Sequence, residues 1–297
     1  MNPVLSPAIA NFAAARRATF RTLHESGFFV IPNPWDVGTA RYLRALGFKA
    51  LATTSSGFAF SHGLPDADWA VPRDATLEHI RSIASAVDLP VNADFESGYA
   101  HSPNEVAENV RLCVATGVAG LSIEDATGDP VHPLYDLSLA SERIRAAKQA
   151  IGHSGVLLTA RAEAFLTGHP EPLREALRRL EAYAAAGADV LYAPGARTRP
   201  EIEAIVKTAH PLPVNVLVSS SAPLSLAQLE QLGVRRVSTG SALARAAWTG
   251  FIAAARGIAR EQTMAGLDHI TPYDEINDFF RKDRADLAIA EADKQQS

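Results

Sequence analysis

Eight short apolar runs, each followed by a helix-like segment, recur along the chain without a break, and this order limits the possible folds more than any single motif does. The runs are residues 28–32, 49–54, 89–93, 118–123, 156–160, 189–193, 213–218 and 236–239. Helices are expected over 36–46, 73–87, 103–116, 138–151, 172–186, 200–209, 224–232 and 242–259, with one more, 6–26, ahead of the first run. Gly27, Gly47, Gly117 and Gly187 stand where helices should stop, because glycine takes the left-handed cap conformation without a Cβ clash. Residues 55–72 read as a loop. Strands this apolar are covered on both faces, as in parallel sheets. Strand and helix in unbroken alternation therefore predict a (β/α)8 TIM barrel. A doubly wound open sheet fits less well, because no glycine-rich dinucleotide fingerprint follows the first strand.

At 297 residues the chain is the size of one such barrel. No linker rich in Gly, Ser or Pro divides it, so a single domain spanning 1–297 is expected. The barrel proper would occupy 28–260, and the charged, partly helical extension 261–297 exceeds what a barrel needs. A net charge of -5 offers no general attraction for nucleic acid or an anionic membrane. No stretch is long and apolar enough to span a bilayer, and no signal peptide is apparent. The single cysteine, Cys113, rules out an internal disulfide, fits a reducing compartment and is expected to be buried in its helix. These features together suggest a cytoplasmic globular protein.

In a barrel of this kind the chemistry lies at the carboxyl ends of the strands, and useful side chains concentrate there. Asn92 and Asp94 are two apart on the third strand, so they project to the same side. Such oxygens suit a hard cation such as Mg2+, although Asp94 could equally cap the following turn. Glu124 ends the fourth strand and could complete the site. Arg161 ends the fifth, where its planar fork would bind a carboxylate or phosphate, or else neutralise Glu124 or Glu163. After the second strand come Thr54, Ser55, Ser56 and Gly57. Ser56-Gly57 offers a hydroxyl and an unobstructed N–H for an anionic oxygen, or an ordinary turn. Asn215 lies on the seventh strand. None of Lys49, Lys148, Lys207, Lys282 and Lys294 ends a strand, which disfavours Schiff-base chemistry. His24, His79, His153 and His210 fall on helices or their ends and are expected at the surface. His62, His101, His132 and His169 fall in loops on the catalytic side.

Thr54-Ser55-Ser56-Gly57, Gly63-Leu64-Pro65-Asp66, Asn92-Ala93-Asp94, Ile123-Glu124-Asp125 and Ala160-Arg161-Ala162-Glu163 follow one another in the order and strand placement of a known group. On these motifs the chain resembles the isocitrate lyase and phosphoenolpyruvate mutase superfamily over roughly residues 28–247. The resemblance implies Mg2+ (or Mn2+) bound by Asp94 and Glu124, partly through water, with Asn92 standing where the family usually has a directly ligating acid. It implies that Thr54, Ser55, Ser56, Gly57, Arg161 and Asn215 bind the substrate, with Ser56 and Gly57 on its carboxylate. Asp66 would belong to a loop that closes over the site; with Arg161 and Ser56 it makes up the expected catalytic set. His62, His132 and Asp66 remain open as the acid or base. Helix 242–259 would be exchanged between subunits of a homo-oligomer, a dimer or tetramer.

The loop 125–133 lacks the cysteine and lysine of isocitrate and methylisocitrate lyases, and Pro194 stands where the mutase branch has a histidine. The leading expectation is therefore a Mg2+-dependent lyase cleaving a C–C bond in a small α-keto or 2-hydroxy carboxylate, through a metal-stabilised enolate. Phosphonate or carboxyphosphonate P–C chemistry is the alternative, and a keto-acid binding protein with reduced catalysis is a third.

Overall fold

The computed structural model describes residues 7–66, 69–221 and 223–296. The expected helix start at Ser6 lies outside them; helix α1 runs Pro7–Glu25. The alternation then unfolds as β1 Phe29–Ile31, α2 Val37–Ala45, β2 Leu51–Ala52, α3 Ser55–Ser61, α4 Arg73–Ala86, β3 Val91–Asp94, α5 Pro103–Val114, β4 Gly120–Glu124 and α6 Leu137–Ile151. It continues with β5 Leu157–Arg161, α7 Pro172–Ala186, β6 Val190–Tyr192, α8 Arg199–Ala209, β7 Val214–Leu217, α9 Leu226–Gln231, β8 Arg236–Ser238, α10 Ala242–Arg256 and α11 Tyr273–Gln296.

All eight strands are parallel, and each pairs with its neighbours in the order β1-β8-β7-β6-β5-β4-β3-β2. The remaining gap, between β1 and β2, is bridged where the Ala52 N–H donates to the Pro32 carbonyl at 3.0 Å. The fold is thus a (β/α)8 barrel. Its main core lies between strands and helices, where Ile80, Ile83, Val110, Ile144 and Leu180 pack against Leu121, Leu158, Leu191 and Val214. Phe20 of α1 joins Phe29, Ile31 and Leu157 in a second cluster. Arg17 fastens α1 to the amino-terminal side of the strands, donating to the Val118, Ser154 and Val114 carbonyls at 3.0, 3.0 and 3.1 Å.

Two compact units divide the chain, the first ending at Ala244 and the second beginning at Arg245. The second holds most of α10, a π-helical turn at Gly257–Glu261, and α11. Among the described residues no helix is long and apolar enough to cross a membrane.

One segment departs from the sequence reading. Residues 55–61, expected as loop, form α3, because the Thr54 side chain caps it by accepting from the Gly57 N–H at 3.2 Å. Local propensity gave little warning, since the helix consists of Ser, Gly, Phe and Ala in two turns.

Candidate active site

Three strands end in the charged residues that meet at the barrel mouth. Asp94, Glu124 and Arg161 are the last residues of β3, β4 and β5, and Glu124 is paired in register with Arg161. Arg161 spreads its whole guanidinium among acids: Nη1 lies 3.0 Å from Asp94 Oδ1, Nη2 2.9 Å from Glu124 Oε2, and Nε 2.8 Å from Glu163 Oε1. The Tyr192 ring lies beneath it, 5.3 Å from centroid to guanidinium carbon. Burial opposes the Arg161 charge, but Glu163, Glu124 and Asp94 outweigh it and hold the group protonated, well above the usual guanidinium range. Burial also pushes the Glu124 and Glu163 carboxyls up, with Arg161 pulling the other way.

Around this centre the loops are tightly built. Asp94 Oδ2 accepts from both the N–H and the hydroxyl of Ser55, each at 3.0 Å, and Asp66 Oδ1 lies 3.3 Å from the same hydroxyl oxygen. Past β3 the backbone turns sharply, with Glu96 at φ 45° and Tyr99 at φ 54°, values unusual for residues with a Cβ. The turn folds Tyr99 OH onto Glu96 Oε1 at 2.5 Å, and Thr76 Oγ1 lies 2.8 Å from the same hydroxyl. Burial pushes the Glu96 carboxyl up to about 7, against the pull of Tyr99.

Strand alternation sends the next residue the other way. Asp125 turns outward and accepts from the Glu163 N–H at 2.8 Å, from Arg179 Nη1 at 3.0 Å and from the Tyr183 hydroxyl. It therefore holds the β5 loop, and with it Glu163, against α7.

Several expected residues are placed differently from their assumed orientation. The Gly57 N–H, read as open to a ligand, is taken by Thr54 Oγ1, and Ser56 Oγ lies 3.2 Å from that same hydroxyl. Asn92 is buried beside Gly120, deeper than Asp94; its Nδ2 donates to the Ala93 carbonyl at 3.1 Å and its Oδ1 has no partner. Asn92, Asp94, Arg161 and Asn215 all line one cavity of about 50 Å3, room for about three or four water molecules. None of the four loop histidines lines it. His62 and His132 are exposed, and His101 Nδ1 is bound to Tyr135 OH at 2.6 Å. His24, expected at the surface, is buried at 6% exposure among Phe20 and Phe29. Cys113 is fully buried, as its neighbours suggested. A larger cavity of about 260 Å3 lies beside β7, α8 and α9, and none of the expected site residues lines it.

Two residues that no sequence signal placed at the site, Tyr192 and Arg236, also line the mouth cavity, beside Ser238 near the end of the eighth strand, where useful side chains were expected. Their positions on β6 and β8 were legible, but an arginine at the start of an apolar strand gives no sign of pointing inward.

Among the described residues no three His, Cys, Asp or Glu side chains are already arranged to hold a metal ion, and Arg161 is paired with Asp94, Glu124 and Glu163. The donor chemistry nevertheless fits a hard divalent cation. Asp94, Glu124 and Glu163 share one guanidinium, Glu96 adds a fourth carboxyl beside them, and burial holds Glu96, Glu124 and Glu163 above their ordinary range. Such an excess of acid is relieved by a second positive charge.

A parallel barrel whose strand ends converge on acids and one arginine defines a class of enzymes working at that mouth. The chain belongs to the phosphoenolpyruvate phosphomutase family, whose model matches residues 20–259. A putative lyase/mutase from Burkholderia cenocepacia J2315 superposes with a TM-score of 0.86 at 46% identity, covering 91% of this chain and 97% of that one. An oxaloacetate decarboxylase from Rhodopseudomonas palustris strain BisB5 is 32% identical over 75% of this chain and 76% of its own. Phosphonopyruvate hydrolase, solved with oxalate and Mg2+, superposes with a TM-score of 0.77 at 26% identity, covering 94% of this chain and 98% of that one. The relatives are lyases, mutases and hydrolases of the isocitrate lyase and phosphoenolpyruvate mutase superfamily, and the chain is an enzyme of that group.

Proposed function

We propose that this protein is a Mg2+-dependent lyase that breaks a C–C bond, by cleavage or decarboxylation, in a small α-keto or 2-hydroxy carboxylate. The observation that carries this reading is the Arg161 fork set among Asp94, Glu124 and Glu163 at the ends of adjacent strands. Asp94 and Glu124 would hold the cation, and Asn92 Oδ1, buried without a partner, would reach it through water. Mg2+ in such a site supplies Lewis-acid polarisation of a keto oxygen and charge to offset an enolate. With Asp94 and Glu124 taken up by the cation, Nη1 and Nη2 of Arg161 would be released to bind the substrate carboxylate in two parallel hydrogen bonds, the geometry its planar fork favours. Asn215 offers an amide from the cavity wall, and Ser55 steadies Asp94 with its N–H and hydroxyl. Tyr192 and the narrow cavity leave room for a small acid only.

The site is built from residues the chain itself carries, so a working homo-oligomer is a separate inference. It rests on the exposed Trp248, Phe251 and Ile252 of α10, which suit a second copy. The single cysteine, buried in its helix, suits a reducing compartment, which a cytoplasmic setting would supply.

The test is to incubate purified protein with oxaloacetate, with related keto and 2-hydroxy acids and with phosphonopyruvate, each with Mg2+, with Mn2+ and with chelator. Turnover of a keto or hydroxy acid that chelator abolishes is expected. Phosphate release from phosphonopyruvate alone would point to P–C chemistry instead, and no turnover of any compound would leave a binding protein.

A further inference from the structure

Beneath the acidic mouth lies a second cation that the reaction described above does not use. Arg236, on β8, is buried at 3% exposure, and none of its hydrogen-bond partners is a carboxylate. Its Nε lies 2.8 Å from Asn215 Oδ1, Nη2 lies 3.1 Å from Thr159 Oγ1, and Nη1 lies 3.2 Å from His24 Nε2. The guanidinium lines the same cavity as Asp94 and Arg161. Burial pulls its pKa down to about 10, which still leaves it charged at neutral pH.

The chemistry of these partners fixes every orientation in the chain of bonds. A guanidinium can only donate, so the Asn215 atom facing Nε must be its oxygen, whichever way an amide is otherwise drawn. The Asn215 NH2 group is then forced the other way, where one N–H donates to Ser238 Oγ at 2.9 Å and the second meets no acceptor among the described residues. By the same rule His24 Nε2 must be an unprotonated acceptor, which places the ring proton on Nδ1, 2.7 Å from the Phe20 carbonyl. A continuous sequence of bonds thus runs from the backbone of α1 to an amide in the wall of the active-site cavity.

We propose that Arg236 is a positioning residue: it locks the Asn215 amide with its NH2 turned to the cavity, so that an oxygen of the carboxylate substrate meets a donor already oriented. A free asparagine amide can present either end, and fixing it in advance removes that cost from binding. Lysine could supply the charge but not the three-way fork that joins Asn215, Thr159 and His24 at once. The inference rests on the functional reading above only in taking the ligand to be a small carboxylate; the locked amide itself does not depend on it.

Two measurements test it. The first follows the side-chain amide of Asn215 by NMR in the ligand-free protein. Slow exchange of its protons is expected in the wild type and at least tenfold faster exchange in Arg236→Met; unchanged exchange overturns the proposal. The second is a double-mutant cycle on the binding of oxalate with Mg2+, read by calorimetry. Asn215→Ala and Arg236→Met should each weaken binding at least fivefold, and Arg236→Met should change it less than twofold when Asn215 is already alanine, because a residue acting through another adds nothing once that one is gone. A further fivefold loss in that background, or wild-type affinity in the single variant, overturns the proposal, since a merely structural loss would persist in both backgrounds. If circular dichroism shows that Arg236→Met does not fold, Arg236→Lys is read in the same two ways. Should Asp94→Ala bind oxalate like the wild type, or should the wild type itself not bind it with Mg2+, the metal-site reading fails, while the amide exchange still decides the role of Arg236.

Discussion

Arg161 and Asp94 meet across the barrel mouth, Nη1 to Oδ1 at 3.0 Å, from positions 67 residues apart in the chain. The side chains are 15% and 17% exposed, so the pair is shielded but still reachable from solvent. The arginine is thus a counter-charge for the acids, and in the proposed function also the grip on an incoming carboxylate.

Replacing Arg161 by methionine removes the common partner of Asp94, Glu124 and Glu163. Breaking a buried pair on one side costs about 3–5 kcal/mol. Urea unfolding should show a loss of that order, and added Mg2+ should recover part of it, because the cation replaces the lost charge. Arg161→Lys should keep most of the stability yet lose turnover at least a hundredfold, since a point charge cannot grip a carboxylate with two bonds.

Gly57→Ala should damage the entry to α3. A Cβ there would lie 2.7 Å from Thr54 Cγ2 and 3.0 Å from Trp35 Cβ. Overpacking of this kind costs about 1–3 kcal/mol. Because Ser55, two residues earlier, donates to Asp94, ligand affinity should fall along with stability; a variant as stable and tight-binding as the wild type would contradict this placement of Gly57.

Asp125→Ala should destabilise the barrel without touching the cavity directly. It leaves Arg179 and Tyr183 short of their common acceptor and releases the Glu163 N–H. The loss expected is again about 3–5 kcal/mol, and Asp125→Asn should lose less, because an amide oxygen still accepts. Denaturant midpoints for the two variants check the order.

His24 predicts a pH dependence of stability. Burial, reinforced by the Arg236 charge, pushes its pKa down to about 3 from 6.5. The unfolded chain therefore binds a proton below about pH 6.5 while the folded chain stays neutral, so the folded state loses stability as pH falls from 6.5 towards 3. One proton contributes a slope of up to about 1.4 kcal/mol per pH unit. Chemical unfolding at pH 7 and pH 5 should show a smaller difference for His24→Asn than for the wild type; an equal difference would remove His24 as the source.

Much of the fold could be read locally. Helix α7 begins at Pro172 and ends at Ala186 as its proline and glycine signals require, and every strand falls within its expected run or extends it by one residue. These features depend on neighbours a few positions away, through periodicity and capping. The same locality placed Asp94, Glu124 and Arg161 at strand ends. Helix α3 escaped notice because one threonine side chain decides it, and the Gly57 N–H was assigned to a ligand for the same reason.

The sequence by itself determined the strand–helix alternation, the strand order that follows from it, and which acids and which arginine stand at the mouth. Tertiary structure alone decided how they pair. Whether Arg161 meets one acid or three, and whether Arg236 turns inward to Asn215 and to His24, 212 residues away, depends on the tilt and closure of the barrel. Closure gathers eight strand ends around one axis, and no spacing along the chain encodes which side chains then share a hydrogen bond.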